Sequence, residues 1–116
     1  MKKLTVEFYL SDSEYMTALR LAVGAVCAVA DTDIDGAEDM KVCVTESCLL
    51  LKGCGFDSVT VSLCSEDGVR ACVTGAGGAP RADDNEFSLA LISALVASCS
   101  LERTADGIIN KLILTL

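Results

Sequence analysis

Residues 39–51, Asp-Met-Lys-Val-Cys-Val-Thr-Glu-Ser-Cys-Leu-Leu-Leu, restrict the fold more than any other part of the chain. Met40, Cys43, Val44, Ser47 and Leu51 recur at three- and four-residue steps, while Val42, Glu46, Leu49, Leu50 and Gly53 line a second face. That is the spacing of a helix apolar on nearly all sides, which is expected between layers rather than on a surface. Glu46 stands in its middle. An ionised carboxylate in such a place needs donors or a watery pocket, or its pKa rises, because desolvation disfavours the charged form. Glu46 is therefore a candidate site residue. The plainer alternative puts it at a wet edge of the layer or pairs it with a nearby lysine or arginine.

The flanking sequence supplies the other elements. Residues 4–10 alternate, Leu4, Val6, Phe8 and Leu10 against Thr5, Glu7 and Tyr9, as a half-buried strand does. Ser11-Asp12-Ser13-Glu14 offers an N-cap with acids in the first turn of a helix over 14–30, burying Leu19, Ala22, Val23, Val26 and Ala30. The acidic stretch 31–36 connects it to the apolar helix, which either Asp35 or Asp39 can start and which Gly53 and Gly55 end. Residues 58–64 and 69–73 read as two strands joined by Ser65-Glu66-Asp67-Gly68, and Asp-Gly between alternating apolar runs is a strong hairpin signal. Residues 74–86 form a loop, 87–100 a third helix with Leu89, Ile92, Leu95 and Val96 in the core, and 101–104 and 108–116 a second hairpin turning at Ala105-Asp106-Gly107.

That order is expected to give one α+β domain over residues 1–116. It is a two-layer sandwich, with a mixed, mainly antiparallel sheet of about five strands covered on one face by three helices. At 116 residues the chain can bury about two-thirds of its unfolded surface without a metal or disulfide staple. A net charge of −8 argues against nucleic acid and anionic membranes as partners and for a basic protein. The chain has no histidine, which removes a histidine base, a histidine metal ligand and any Ser-His triad. Its seven cysteines include no Cys-x-x-Cys pair and read as small core residues of a reducing, cytoplasmic protein, with a zinc or redox role as the alternative. Residues 2 and 3 are lysines, but Glu7 interrupts the apolar residues after them and no cleavage site is visible, unlike a signal peptide. The longest uncharged runs, 21–30 and 87–100, are too short to span a bilayer.

The element order, together with Asp-Met-Lys-Val-Cys-Val-Thr-Glu-Ser-Cys, resembles the anti-sigma-factor serine kinases, small members of the ATP-binding superfamily shared with gyrase and the sensor histidine kinases. The resemblance covers nearly the whole chain and implies the histidine kinase-like ATPase fold. In that family a helix carries a Glu that acts on the attacking group and, four residues later, an Asn that holds magnesium. Glu46 matches the first, as a remnant catalytic base, and Leu50 stands at the second. A following Asp-x-Gly-x-Gly motif recognises adenine. Here Val73 is followed by Thr74-Gly75-Ala76-Gly77-Gly78, so Gly75, Gly77 and Gly78 remain as a remnant nucleotide loop, with Gly75 or Thr74 at the place of the Asp depending on register. The glycines also fit a plain tight turn after a strand. The family's Gly-rich start of the last helix aligns with Phe87-Ser88-Leu89-Ala90-Leu91, without glycine. The loop before it carries Asp83, Asp84 and Glu86 against Arg81, a balance repulsive to a triphosphate.

These departures imply a degenerate member of the family, a regulatory domain that binds protein and has weak or lost ATP binding and kinase activity. No cofactor is then expected. The implied partner is a sigma factor, an anti-sigma antagonist or a second copy of the chain, the last through the first strand and first helix. Two alternatives remain at this point. One is an active serine-protein kinase using ATP and magnesium with Glu46 as base. The other is a small-molecule sensor in a more apolar version of the nucleotide cleft. Tyr9 and Tyr15 read as edge and cap residues.

Overall fold

The computed structural model describes residues 3–116. Its elements run in the order β1 (Lys3–Tyr9), α1 (Tyr15–Val29), α2 (Ile34–Gly53), β2 (Ser58–Cys64), β3 (Arg70–Ala76), α3 (Glu86–Leu95), β4 (Ser98–Arg103) and β5 (Ile109–Thr115). The five strands form one sheet in the order β1-β2-β3-β5-β4, and all four pairings are antiparallel. The fold is thus the α+β two-layer sandwich expected, with β1 and β4 as free edges.

Alternation sets the two faces of the sheet. Val59, Val61 and Leu63 of β2, Ala71 and Val73 of β3, and Leu112 and Leu114 of β5 are fully buried beneath the helices, and each larger apolar side chain so buried contributes about 1.5–3 kcal/mol. Cross-strand register carries Thr5, Ser62, Cys72, Ile113 and Ser100 in one row across the other face. Small polar residues dominate that face, which no helix covers. Among the helices, α2 packs over β3 and β5, α1 lies beside β1 and β2, and α3 beside β4. Met40, Cys43, Val44, Ser47, Cys48 and Leu51 point from α2 into the core. The buried Ser47 hydroxyl donates to the Cys43 carbonyl at 2.7 Å, which satisfies it within its own helix.

Several expected boundaries and faces differ. The α2 helix is not enclosed on all sides: it lies in a single helical layer, and Val42 and Leu49 on its outward face are exposed. It also begins earlier than Asp35 or Asp39, because Asp33 is extended and its carboxylate accepts the Gly36 N–H at 2.7 Å. That is an N-cap satisfying one of the helix's free donors. The expected cap of α1 at 11–14 is absent. Asp12 N donates to Tyr9 O, Tyr15 N to Asp12 O and Met16 N to Ser13 O at 3.0–3.1 Å, so successive backbone turns lead into the helix without a side-chain cap or an acid in its first turn. The α1 helix ends on Asp31, at φ 56°, with Thr32 N donating to Cys27 O.

Strand β3 runs through Gly75 to Ala76, paired with Val59 and Ser58, so Gly75 belongs to the sheet and not to the loop. The third helix stops at Leu95 rather than Ser100. Val96 is extended, and residues 98–103 pair with β5. Cys99 and Leu101 alternate with Ser98, Ser100 and Glu102, a period of two that a short apolar run hides. In α1, Cys27 is buried with Leu19, Val23 and Val26, while Ala22 and Ala30 are half-buried. In α3, Ile92 is fully buried, while Leu89 and Leu95 are half-buried.

All seven cysteines are free thiols. Cys27, Cys43, Cys48 and Cys54 are buried, and Cys64, Cys72 and Cys99 are half-buried. Burial pushes the Cys48 thiol up to about 12. Burial, then Asp39, Cys99 and Glu46, push Cys43 up to about 11.

Two outcomes are expected. Asp33→Ala removes the α2 cap and lowers unfolding free energy by about 1 kcal/mol in denaturant titration at neutral pH. The thiols give a pH dependence of definite sign. Folded Cys43 and Cys48 hold their protons above the ordinary value of 9.0 at which the unfolded chain releases them. Stability is therefore full below that value and falls as pH rises through 9 toward 11 and 12. Denaturant midpoints measured across that range should show a shallower fall in Cys48→Ala.

Candidate functional site

The turn that ends α2 and the segment that leaves β3 meet at one end of the sheet. Gly55, at φ +91°, takes the left-handed conformation past the helix, and Phe56 N donates back to Leu51 O at 3.2 Å. The chain then reverses so that Phe56 lies inward and Asp57 N donates to Ala76 O at 3.0 Å. On the far side of β3, Ala79 N donates to Gly55 O at 3.1 Å and Arg81 N to Cys54 O at 2.7 Å. Backbone hydrogen bonds thus clasp the glycine loop to the end of α2.

The three glycines of the remnant loop lie here, and each has a local reason. A Cβ on Gly75 would stand 2.7 Å from the Phe56 ring, which is buried. Gly77 and Gly78 have φ of +68° and +72°, the left-handed region that glycine adopts freely. A Cβ on Gly78 would also meet the Gly55 carbonyl oxygen. The loop that comes next folds against the same helix end. The Asp83 carboxylate stands where a Cβ on Gly53 would point, and the Arg81 guanidinium stands beside Gly55. The Asn85 side-chain amide donates to the Cys54 sulfur at 4.0 Å. Phe56 is the residue that sequence reasoning missed. Its signal was an aromatic after Gly-Cys-Gly, one turn past an apolar helix.

Glu46 stands elsewhere. It is half-buried and lines a groove of about 220 Å³ between α1 and α2 with Arg20, Lys41, Val42, Thr45 and Leu49. Among the described residues it makes neither a hydrogen bond nor an ion pair, and Lys41 pairs with Glu38 at 2.9 Å instead. The Thr45 hydroxyl in the same groove is buried without a partner. Leu50, one turn beyond Glu46, is 4% exposed and belongs to the core. None of the three glycines lines the groove that Glu46 occupies. Glu46 precedes Gly53 by seven residues, about 10 Å along the helix axis, and the glycine loop is fastened beyond that point. Arg20 and Lys41 line the same groove, but neither pairs with Glu46 among the described residues. No helix among the described residues is long and apolar enough to cross a membrane.

Comparison with models of known protein families finds no match to this chain, and comparison with curated proteins likewise finds none.

The contact between Phe56 and Gly75 yields a direct test. Gly75→Ala forces the ring to shift and should lower stability by about 1 to 3 kcal/mol, the usual cost of overpacking a core. In a Phe56→Leu background the same substitution should cost less, and a double-mutant cycle in denaturant measures the difference.

Proposed function

We propose that the chain is a regulatory domain that acts by binding protein, a degenerate relative of the anti-sigma-factor serine kinases without efficient ATP binding or phosphoryl transfer. The observation that carries this reading is the outward face of α1. Between Glu14 and Asp31 that helix has one charged residue, Arg20. Its exposed positions include Ala18, Leu21, Ala25, Ala28 and Val29, with Leu21 71% exposed and Val29 67%. In a chain of net charge −8, an uncharged apolar stripe on a surface helix marks a contact surface.

The stripe continues toward the sheet. Leu4, Ala25, Val26, Val29 and Leu63 line an apolar groove of about 300 Å³ where α1 passes the start of β1. Strand β1 is a free edge with one row of unpaired backbone groups. A sigma factor, an anti-sigma antagonist or a second copy of the chain is the partner that the resemblance implies.

Three features of the other end support weak or lost nucleotide chemistry. Leu50, at the place of the metal ligand, is buried in the core. The Phe56 ring lies against Gly75, at or beside the place of the adenine-reading Asp. Asp83 and Asp84 stand on the loop where a triphosphate would need cations. Loss of a magnesium ligand alone removes several kcal/mol of transition-state stabilisation.

Light scattering of the purified, reduced protein, run alone and with candidate sigma factors and antagonists, tests the binding surface. Leu21→Glu should weaken the complex by more than about tenfold, since it places a charge in an apolar contact, while leaving the melting temperature unchanged. Calorimetric titration with ATP and magnesium tests the other half. Magnesium-dependent binding tighter than ~1 mM would overturn the degenerate-site reading and make Glu46 the first residue to examine as a base.

A further inference from the structure

A second feature of β1 shares no residue with the nucleotide loop or the Glu46 groove, and only Ala18 with the apolar stripe. At the opposite end of the strand from Leu4, a cavity of about 560 Å³ wraps the free edge, lined by Glu7, Phe8, Tyr9, Asp12 and Tyr15 with Ser58 behind. The chain has two tyrosines, three phenylalanines and no tryptophan, so three of its five aromatic rings meet in this place. Tyr9 is 64% exposed and Tyr15 50%, a poor use of large rings unless something covers them. The Phe8 and Tyr15 rings stand 6.3 Å apart between centroids and are tilted by 46°.

Charge gives the cavity a sign. Glu7 and Asp12 both line it, and no lysine or arginine does. Neither carboxylate makes an ion pair among the described residues. Two carboxylates and two exposed tyrosines that line one cavity can attract a cation in two ways, by direct charge and by the ring quadrupole. Val6, Phe8 and Ala18 supply an apolar wall. A bare inorganic cation gains nothing from that wall, whereas an alkyl stem does. The volume lies within the range of small-ligand pockets, about 300–1,000 Å³.

From these observations we infer that the cavity binds an organic cation, a guanidinium or alkylammonium group carried on an apolar stem. The charged head lies toward the carboxylates and exposed rings that line the cavity, and the stem lies on its apolar wall. A free small molecule and an arginine side chain of another protein both present this chemistry.

Intrinsic fluorescence tests it directly. Tyr9 and Tyr15 are the only tyrosines, tryptophan is absent, and both tyrosines line the cavity, so the emission reports this place alone. The probes are n-butylguanidinium, its neutral isostere n-butylurea, and the tripeptide acetyl-Gly-Arg-Gly-amide. Butylguanidinium should give a saturable change, and butylurea should bind at least about tenfold more weakly. Glu7→Gln with Asp12→Asn should weaken the cation by a similar factor, and Asp12→Asn alone by less. Glu102→Gln, on the opposite edge strand, should leave binding unaltered. The folded state of each variant is checked by circular dichroism. If the tripeptide binds more tightly than butylguanidinium, the source is a partner's arginine; if more weakly, it is a free cation. Absence of a saturable change below ~20 mM, equal binding of butylurea, or reproduction of the signal by sodium chloride would each overturn the inference. A monomer with no protein partner but with saturable butylguanidinium binding would refute the proposed function and leave this site standing.

Discussion

Burial of one face of α2 on β3 and β5 dictates where every other element can lie. That face presents Met40, Cys43, Val44, Ser47 and Leu51 without a charge, and it fits only against the inner residues of the central strands. A helix of 20 residues rises about 30 Å, the length of a small domain, so it fixes where the chain must turn at both ends. At its start the Asp33 cap sets the α1–α2 turn. At its end Gly55 and Phe56 reverse the chain into β2. Since all three helices lie on one side, the opposite face of the sheet is left without a helix, and its row of Thr5, Ser62, Cys72, Ile113 and Ser100 is mostly of small or polar residues, as an uncovered face allows.

The layers and most strands were legible in the sequence because their period was unambiguous. Val59, Val61 and Leu63 alternate with serine and threonine, and Asp67-Gly68 supplies left-handed positions at φ 55° and 98° for the turn. Legibility failed where two periods fit the same residues. The run from Val96 to Leu101 is apolar enough to extend a helix, and pairing with β5 decided for strand. It failed also at α1, where backbone turns did what a side-chain cap was expected to do. A sequence shows candidate capping residues but not whether the N–H groups they would serve are already occupied.

Site residues were less legible, for a related reason. Glu46 stood out because the helix seemed apolar on every side. Its surroundings in the structure are a groove on the outer side of that helix, shared with Arg20, Glu38 and Lys41. Gly75 read as loop because glycine is common in loops. Its position in β3 is set instead by a ring that no local pattern connects to it, since Phe56 comes from the turn before β2. Tyr9 and Tyr15 looked like edge or cap residues; Tyr9 ends the edge strand β1, while Tyr15 is the first residue of α1, whose N-cap is Glu14. Their convergence with Asp12 over the edge of β1 comes from the tight turns between strand and helix, a tertiary fact carried by three backbone hydrogen bonds.

The clasp between the end of α2 and the glycine loop sets what any molecule placed at Gly75 would have to displace. A nucleotide placed against Gly75 would have to displace Phe56, re-exposing a large apolar side chain whose burial contributes about 1.5–3 kcal/mol. It would also have to part the Ala79–Gly55 and Arg81–Cys54 backbone bonds, and a buried backbone group left unpaired costs about 1–3 kcal/mol. These costs precede any repulsion from Asp83 and Asp84. The contacts that clasp the glycine loop to the end of α2 are thus part of what holds the fold together. The proposed contact surfaces, the α1 stripe and the aromatic edge of β1, use none of the residues that make that clasp.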